Sequence, residues 1–204
     1  MNKILLIICL LFISCRDKVV LLGDSTMAGK YTAPIMRDAF EYMHMNVANM
    51  NVTNMAVIGQ SAYQLKWKLG LGGGLVIKNS IVCVLIGVND VLNGYQDYQV
   101  CTDLLRIIAD LKDNNNMVYI IPILPCGKYK LMDKHNMETI ESIRIFEQQM
   151  AGKEYKIVPI WFSSKTNLLE GLDAGDGLHL NELGQEMLGM ATVEKIWNDH
   201  RIFK

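Results

Sequence analysis

Short unbroken apolar runs alternate along this chain with stretches whose apolar residues recur every three or four positions. Val19–Leu22 is one such run, closed by Gly23, and reads as a short buried strand that turns sharply at its end. Asn51–Val57, Ser80–Ile86, Met117–Ile123 and Lys156–Ile160 read as further strands, the fourth in the series stopped by Pro122 and Pro125. Helical spacing lies between them. It covers Ala33–Met45, where Pro34 fits the first turn, and Ala62–Leu69 behind an N-capping Ser61. It returns over Tyr98–Asp113, ended by Asn114, Asn115 and Asn116, and over Asn136–Met150, which carries a polar face. Asn181–Trp197 closes the chain as a helix with apolar residues at Leu183, Met187, Met190 and Val193. Strands alternating with helices predict a parallel sheet with helices on both faces. No internal repeat or low-complexity linker breaks the order, and 204 residues suit a single α/β domain.

The first fifteen residues differ in kind. Lys3 gives a short basic start, and Ile4–Ile13 is wholly apolar up to Ser14 and Cys15. That run is too short to cross a bilayer as a helix and suits the core of a signal peptide. Phe12-Ile13-Ser14-Cys15 resembles a bacterial lipoprotein processing site, in which the cysteine is lipidated and becomes the new N-terminus. Phe12 stands where leucine is commonest. Residues 1–15 are therefore expected to be a signal peptide of the lipoprotein type and residues 16–204 the folded domain. The domain is expected to be exported, anchored to a membrane through Cys15 or released into a periplasmic or extracellular space. A buried strand over Ile4–Phe12 is the competing reading, disfavoured because only Arg16, Asp17 and Lys18 separate it from the next strand.

Charges nearly cancel, at a formal net of −1, and no run of Lys or Arg appears. This argues against a nucleic-acid partner, which wants a basic face. Loss of Cys9 with the signal leaves Cys83, Cys101 and Cys126 in the domain, at spacings that match no zinc motif. They read as structural thiols, with a single disulfide among them left open.

Candidate chemistry gathers at the strand ends. Asp24 and Ser25 follow the first strand, on the loop where open α/β sheets place their sites. Gly59 follows the second strand and Gly87-Val88-Asn89-Asp90 the third, while Asp176-Gly177-Leu178-His179 precedes the last helix. In this order the four blocks resemble those of the SGNH (GDSL-type) hydrolase family, and they span Gly23 to His179. The resemblance implies a flavodoxin-like, three-layer α/β/α sandwich around a five-stranded parallel sheet. It also implies a serine hydrolase that needs neither metal nor organic cofactor. Ser25 is then the nucleophile, His179 the base and Asp176 its orienting carboxylate, near enough in sequence for a tight turn to join the two. The oxyanion donors are the backbone N–H groups of Ser25 and Gly59 and the side-chain amide of Asn89. Gly87 serves the turn, Asp90 buttresses its loop, and Asp24 holds its own loop through backbone hydrogen bonds. His44, His135 and His200 read as surface residues.

Two rival motifs fail on the letters. A phosphate-binding loop starting at Gly23 would need its second glycine one residue before Gly29 and a hydroxyl where Tyr31 stands. Gly70–Gly74 precedes a strand and not a helix, so no helix terminus faces a phosphate there.

Members of the resembled family remove acetyl groups from carbohydrate or act as lipases, lysophospholipases and thioesterases. The expected reaction is removal of short acyl groups, acetyl above all, from a small-molecule or glycan ester through an acyl-enzyme. The alternatives are a lysophospholipase-like acylhydrolase, a non-catalytic glycan-binding module, and a flavin-binding protein of the same fold class.

Overall fold

A computed structural model describes residues 18–29, 51–70, 72–159 and 171–201. The expected signal segment with Cys15, the helix over Ala33–Met45, His44 and the end of the fifth strand at Ile160 lie outside the described residues. Five strands form one sheet: β1 (Lys18–Gly23), β2 (Asn51–Asn54), β3 (Ile81–Leu85), β4 (Met117–Ile120) and β5 (Lys156–Ile157). Their order is β2-β1-β3-β4-β5, and every neighbouring pair is parallel. The helices are α1 (Ala62–Leu69), α2 (Val88–Leu92), α3 (Asp97–Asp113), α4 (Lys134–Met150) and α5 (Glu182–Arg201).

The apolar runs are continuous because both faces of the sheet are covered. Val20, Leu22, Val82, Val84, Val118 and Ile120 pack on one face against residues of α1, α2, α3 and α4. Their neighbours Val19, Leu21, Ile81, Cys83 and Tyr119 face the other side, where Leu188, Ala191, Val193 and Ile196 of α5 meet them. Cys83, Cys101 and Cys126 are free and buried, and burial pushes each thiol up to about 12. Among the described residues no helix is long and apolar enough to cross a membrane.

The structure corrects several boundaries. β2 ends at Asn54, yet the chain stays beside β1, through Met55 N donating to Leu21 O and Val57 N to Gly23 O at 2.9 Å each. β3 and β4 are likewise shorter than their apolar runs. Val88–Leu92, expected to be loop, is a short helix. α4 starts at Lys134 because the Asp133 carboxylate caps it, accepting from Asn136 N at 2.7 Å. In α5 only part of the expected apolar set faces inward: Val193 is buried and Met187 packs against the core, but Leu183 and Met190 do not. Leu183 and Met190 are 52% and 50% exposed, while Leu188, Ala191, Val193 and Ile196 are buried. Apolar residues surround this helix, so spacing alone does not select its inner face.

β1 and β3, neighbours in the sheet, meet closely at their ends. Gly23 has φ +153°, and a Cβ placed on it would lie 2.0 Å from the carbonyl oxygen of Leu85 in β3. Gly59 differs: its φ is +75°, but a Cβ there would meet nothing within 4 Å. Gly59→Ala is therefore expected to cost only the conformational penalty of a positive φ, about 1–2 kcal/mol. Gly23→Ala must cost more than that, because the strands have to part. Denaturant midpoints of the two variants beside the wild type check the order.

Candidate active site

In an open parallel sheet of this order, the loops leaving β1 and β3 diverge to opposite faces and leave a crevice at the strands' carboxyl ends. Ser25 leaves β1 at that crevice and Asn89 leaves β3. The Ser25 turn is built locally. Asp24 N donates to Leu85 O at 3.2 Å, Thr26 N donates to Asp24 Oδ1 at 2.9 Å, and Ala28 N donates to Asp24 O at 2.9 Å. Ser25 Oγ lies 2.8 Å from His179 Nε2, across 154 residues of sequence.

His179 Nδ1 lies 2.6 Å from Asp176 Oδ2. The other carboxylate oxygen, Oδ1, accepts from Leu178 N at 2.9 Å and His179 N at 2.8 Å. With Nδ1–H donating to Asp176, Nε2 is left to accept the Ser25 hydroxyl proton. Partial burial acts to raise Asp176, but the backbone and ring N–H groups of His179 and the N–H of Leu178 outweigh it, holding the carboxyl down to about 2. The loop around this pair is closed on itself. Asp173 Oδ1 accepts from Gly175 N and Gly177 N at 2.7 and 3.0 Å, and Asn181 Nδ2 donates to Gly171 O at 2.6 Å. Ala174 N donates to His179 O at 2.9 Å, which pins the histidine's main chain.

Asn89 sits in the first turn of α2, and its Nδ2 donates to the backbone carbonyl of Gln60 at 3.1 Å. Gln60 is buried. Oriented to satisfy both neighbours, its side-chain amide donates to Gly23 O at 3.1 Å and accepts from Lys68 Nζ at 3.0 Å. One residue thus ties the Ser25 turn, the Gly59 turn and Asn89. Asp90 reaches the same loop from the other side: its Oδ2 accepts from Ala62 N at 2.7 Å, at the start of α1. Ser61 caps that helix as expected, its Oγ accepting from Gln64 N at 3.1 Å. Burial raises the Asp90 carboxyl, against the N–H groups of Ala62 and Tyr63. The N–H groups of Ser25 and Gly59 donate to no acceptor among the described residues.

The structure therefore brings Ser25, His179 and Asp176 into one hydrogen-bonded line, and links Gly59 and Asn89 through Gln60. His135 is exposed, 3.5 Å from Gln96 Nε2, and stands apart from them. Gln60, Asp173 and the side-chain role of Asn181 are not visible in the sequence. Asn181, read from the sequence as the first residue of the last helix, instead caps α5, its Oδ1 accepting from Gly184 N at 2.9 Å. An arrangement of this kind can move a hydroxyl proton to an imidazole whose tautomer a carboxylate fixes. Among the described residues no group of three metal-ligating side chains gathers.

The chain belongs to the GDSL-like Lipase/Acylhydrolase family, whose sequence model matches residues 21–187. It is accordingly a carboxylic ester hydrolase of the GDSL type. The fold is similar to that of the psychrotrophic esterase EstA from a Pseudoalteromonas species, in a structure inhibited by monoethylphosphonate. That match has 16% identity and a TM-score of 0.68, covering 91% of this chain and 99% of that one. A lipase/acylhydrolase from Enterococcus faecalis is similar at 19% identity and TM-score 0.69, covering 88% and 94% of the two chains. A GDSL-like lipase from Bacteroides thetaiotaomicron is similar at 16% and 0.66, covering 91% and 89%. No curated protein matches the sequence.

The Asp90 anchor gives a stability prediction. Asp90→Ala strips Ala62 N of its buried acceptor and is expected to destabilise the fold by about 1–3 kcal/mol. Asp90→Asn keeps an acceptor oxygen and should retain most of that. Urea unfolding of the two variants measures the difference.

Proposed function

We propose that this hydrolase removes short acyl groups, acetyl above all, from carbohydrate through an acyl-enzyme. The observation that carries the serine mechanism is the pair of contacts at 2.8 and 2.6 Å linking Ser25 to His179 and His179 to Asp176. Ser25 Oγ attacks the ester carbonyl as His179 Nε2 takes its proton. Asp176 holds the imidazolium, and the N–H groups of Ser25 and Gly59 with the Asn89 amide receive the oxyanion. Return of the proton releases the alcohol. Water, deprotonated by His179, then attacks the acyl-Ser25 carbonyl, and collapse of that second intermediate frees the acid. The structurally similar EstA is inhibited by monoethylphosphonate, as a hydrolase with an attacking hydroxyl is expected to be.

Support for a glycan over a lysophospholipid comes from the direction of β1. The strand enters the sheet at Lys18 and reaches Ser25's turn at Gly23, so its ends lie on opposite edges, about 17–20 Å apart. Only Arg16 and Asp17 separate Cys15 from β1. In our reading Cys15 is the lipid anchor of an exported protein. A bilayer holding it meets the edge opposite Ser25, and the crevice faces away from that bilayer toward surface polysaccharide.

The test compares p-nitrophenyl acetate, p-nitrophenyl octanoate and O-acetylated xylan as substrates for the wild type, Ser25→Ala and Asn89→Ala. Expected are preference for acetate, acetate release from the polysaccharide, abolition by Ser25→Ala, and a fall in kcat of about 10²–10³ with Asn89→Ala. Preference for octanoate with no acetate release from xylan overturns the glycan reading and favours the lipase-like one. Activity surviving in Ser25→Ala overturns the mechanism, and a wild type inert on all three leaves the glycan-binding module.

A further inference from the structure

Asp24 is more deeply buried than its role as a loop tether requires. Its relative exposure is 0%, against 45% for the side chain of Asp176. Tethering falls to Thr26: Oδ1 accepts from Thr26 N at 2.9 Å, and the Thr26 side chain also acts on the carboxyl. Oδ2 is shielded from solvent and has no hydrogen-bond partner among the described residues. An unpartnered buried carboxylate oxygen is costly, and such costs persist mainly where a site uses them. The next residue, Ser25, lies 2.8 Å from His179 Nε2, so the carboxyl sits one residue from that contact. The ionisable groups from other elements that act on it electrostatically are His179 before α5, Asp90 on α2, and the Cys126 thiol after β4. Only His179 can become a cation.

We propose that Asp24 is a positioning residue, a dry anion beneath the Ser25 turn that stabilises the imidazolium formed when His179 takes the Ser25 proton. The inference rests on the serine mechanism above. It divides the work between two carboxylates. Asp176 fixes the tautomer and aim of the ring through a hydrogen bond, but its charge is half in water and screened. Asp24 touches neither substrate nor ring through a hydrogen bond, and its field acts through low-dielectric protein. The proton passes from Ser25 Oγ to His179 Nε2, and Asp24 stays ionised throughout.

The cost to the fold has a sign. Burial raises the Asp24 carboxyl to about 6, with Asp90 adding to it and Thr26 and His179 opposing. Between its ordinary 3.8 and about 6, the folded chain holds a proton that the unfolded chain has lost. Stability therefore falls as pH rises through that window, and above it the charged Asp24 is a burden that neutral Asn relieves. Below about 6 Asp24 is neutral, and its help to the imidazolium is gone.

The experiment follows kcat/KM for p-nitrophenyl acetate against pH, and Tm near pH 8, for the full chain and for Asp24→Asn. Expected for the variant is a loss of roughly 10-fold or more at high pH, carried by kcat and not KM. Its acid limb should be shallower and lie at lower pH, with Tm unchanged or raised. Activity within roughly twofold of the wild type and an unmoved limb overturn the proposal. So does a loss matched by a lower Tm with the limb's shape preserved, which marks a structural tether. If the variant does not fold, the wild-type limb decides: steeper than one proton near pH 6 supports the role, and a one-proton limb overturns it. A wild type without Ser25-dependent turnover is a separate result, which removes the serine mechanism itself.

Discussion

The carbonyl of Leu85 and the missing side chain of Gly23 set the terms for this site. β1 and β3 are adjacent in the sheet but leave it toward opposite faces, so the crevice between their loops is only as well defined as the contact at their ends. Any Cβ on Gly23 would sit inside the Leu85 carbonyl. Because there is none, Asp24 N can turn directly onto that oxygen at 3.2 Å. The backbone bond starts the turn that presents Ser25 while the strand behind it is still fully buried. The sheet, in other words, delivers the serine with no flexible residue in between.

Beyond the strand ends the apolar core no longer holds the chain, and polar side chains take over. Asn54 Nδ2 donates to Met27 O at 2.9 Å, Gln60 links the first three blocks, Asp90 holds α1, and Asp173 and Asn181 close the last loop. Each such bond contributes a net of about 0.5–1.5 kcal/mol, little by itself. Their value lies in geometry. They connect backbone groups of different loops, so the spacing among Ser25, Gly59, Asn89 and His179 is fixed by several short links and not by packing of mobile side chains.

The sequence made the strands legible because a sheet covered on both faces leaves continuous apolar runs, as in Val19–Leu22 and Ile81–Leu85. The candidate residues were legible for another reason: Gly, Asp, Ser, Asn and His at strand ends form a resemblance that no single block would. What stayed hidden obeys tertiary logic. Gln60 has no distinguishing neighbour, and its importance comes from lying between Gly23 and Lys68 in space. α2 is a five-residue helix whose Asp90 carboxylate reaches another helix's first N–H, and nothing in its periodicity announces that. The inner face of α5 is chosen by the sheet it meets, since Leu183 and Met190 are as apolar as Leu188 and Ile196. Asp24 looked like a loop residue. Only its depth separates it from one.

The two halves of the hydrogen-bonded line depend on the fold to different degrees. Asp176 and His179 are three residues apart, joined by one ring contact and two backbone bonds to the same carboxylate, with Asp173 and Asn181 closing the loop around them. That unit is encoded locally, and it keeps its shape under modest movements of the sheet. Ser25 joins it across 154 residues through one contact, and every strand between them bears on that distance. Loosening the sheet therefore separates the serine from an intact Asp–His pair before the pair itself comes apart. Proton transfer is steep in distance, so the proposed reaction is expected to fail at the Ser25–His179 link first. The tight junction at Gly23 and Leu85 stands directly behind that weaker link.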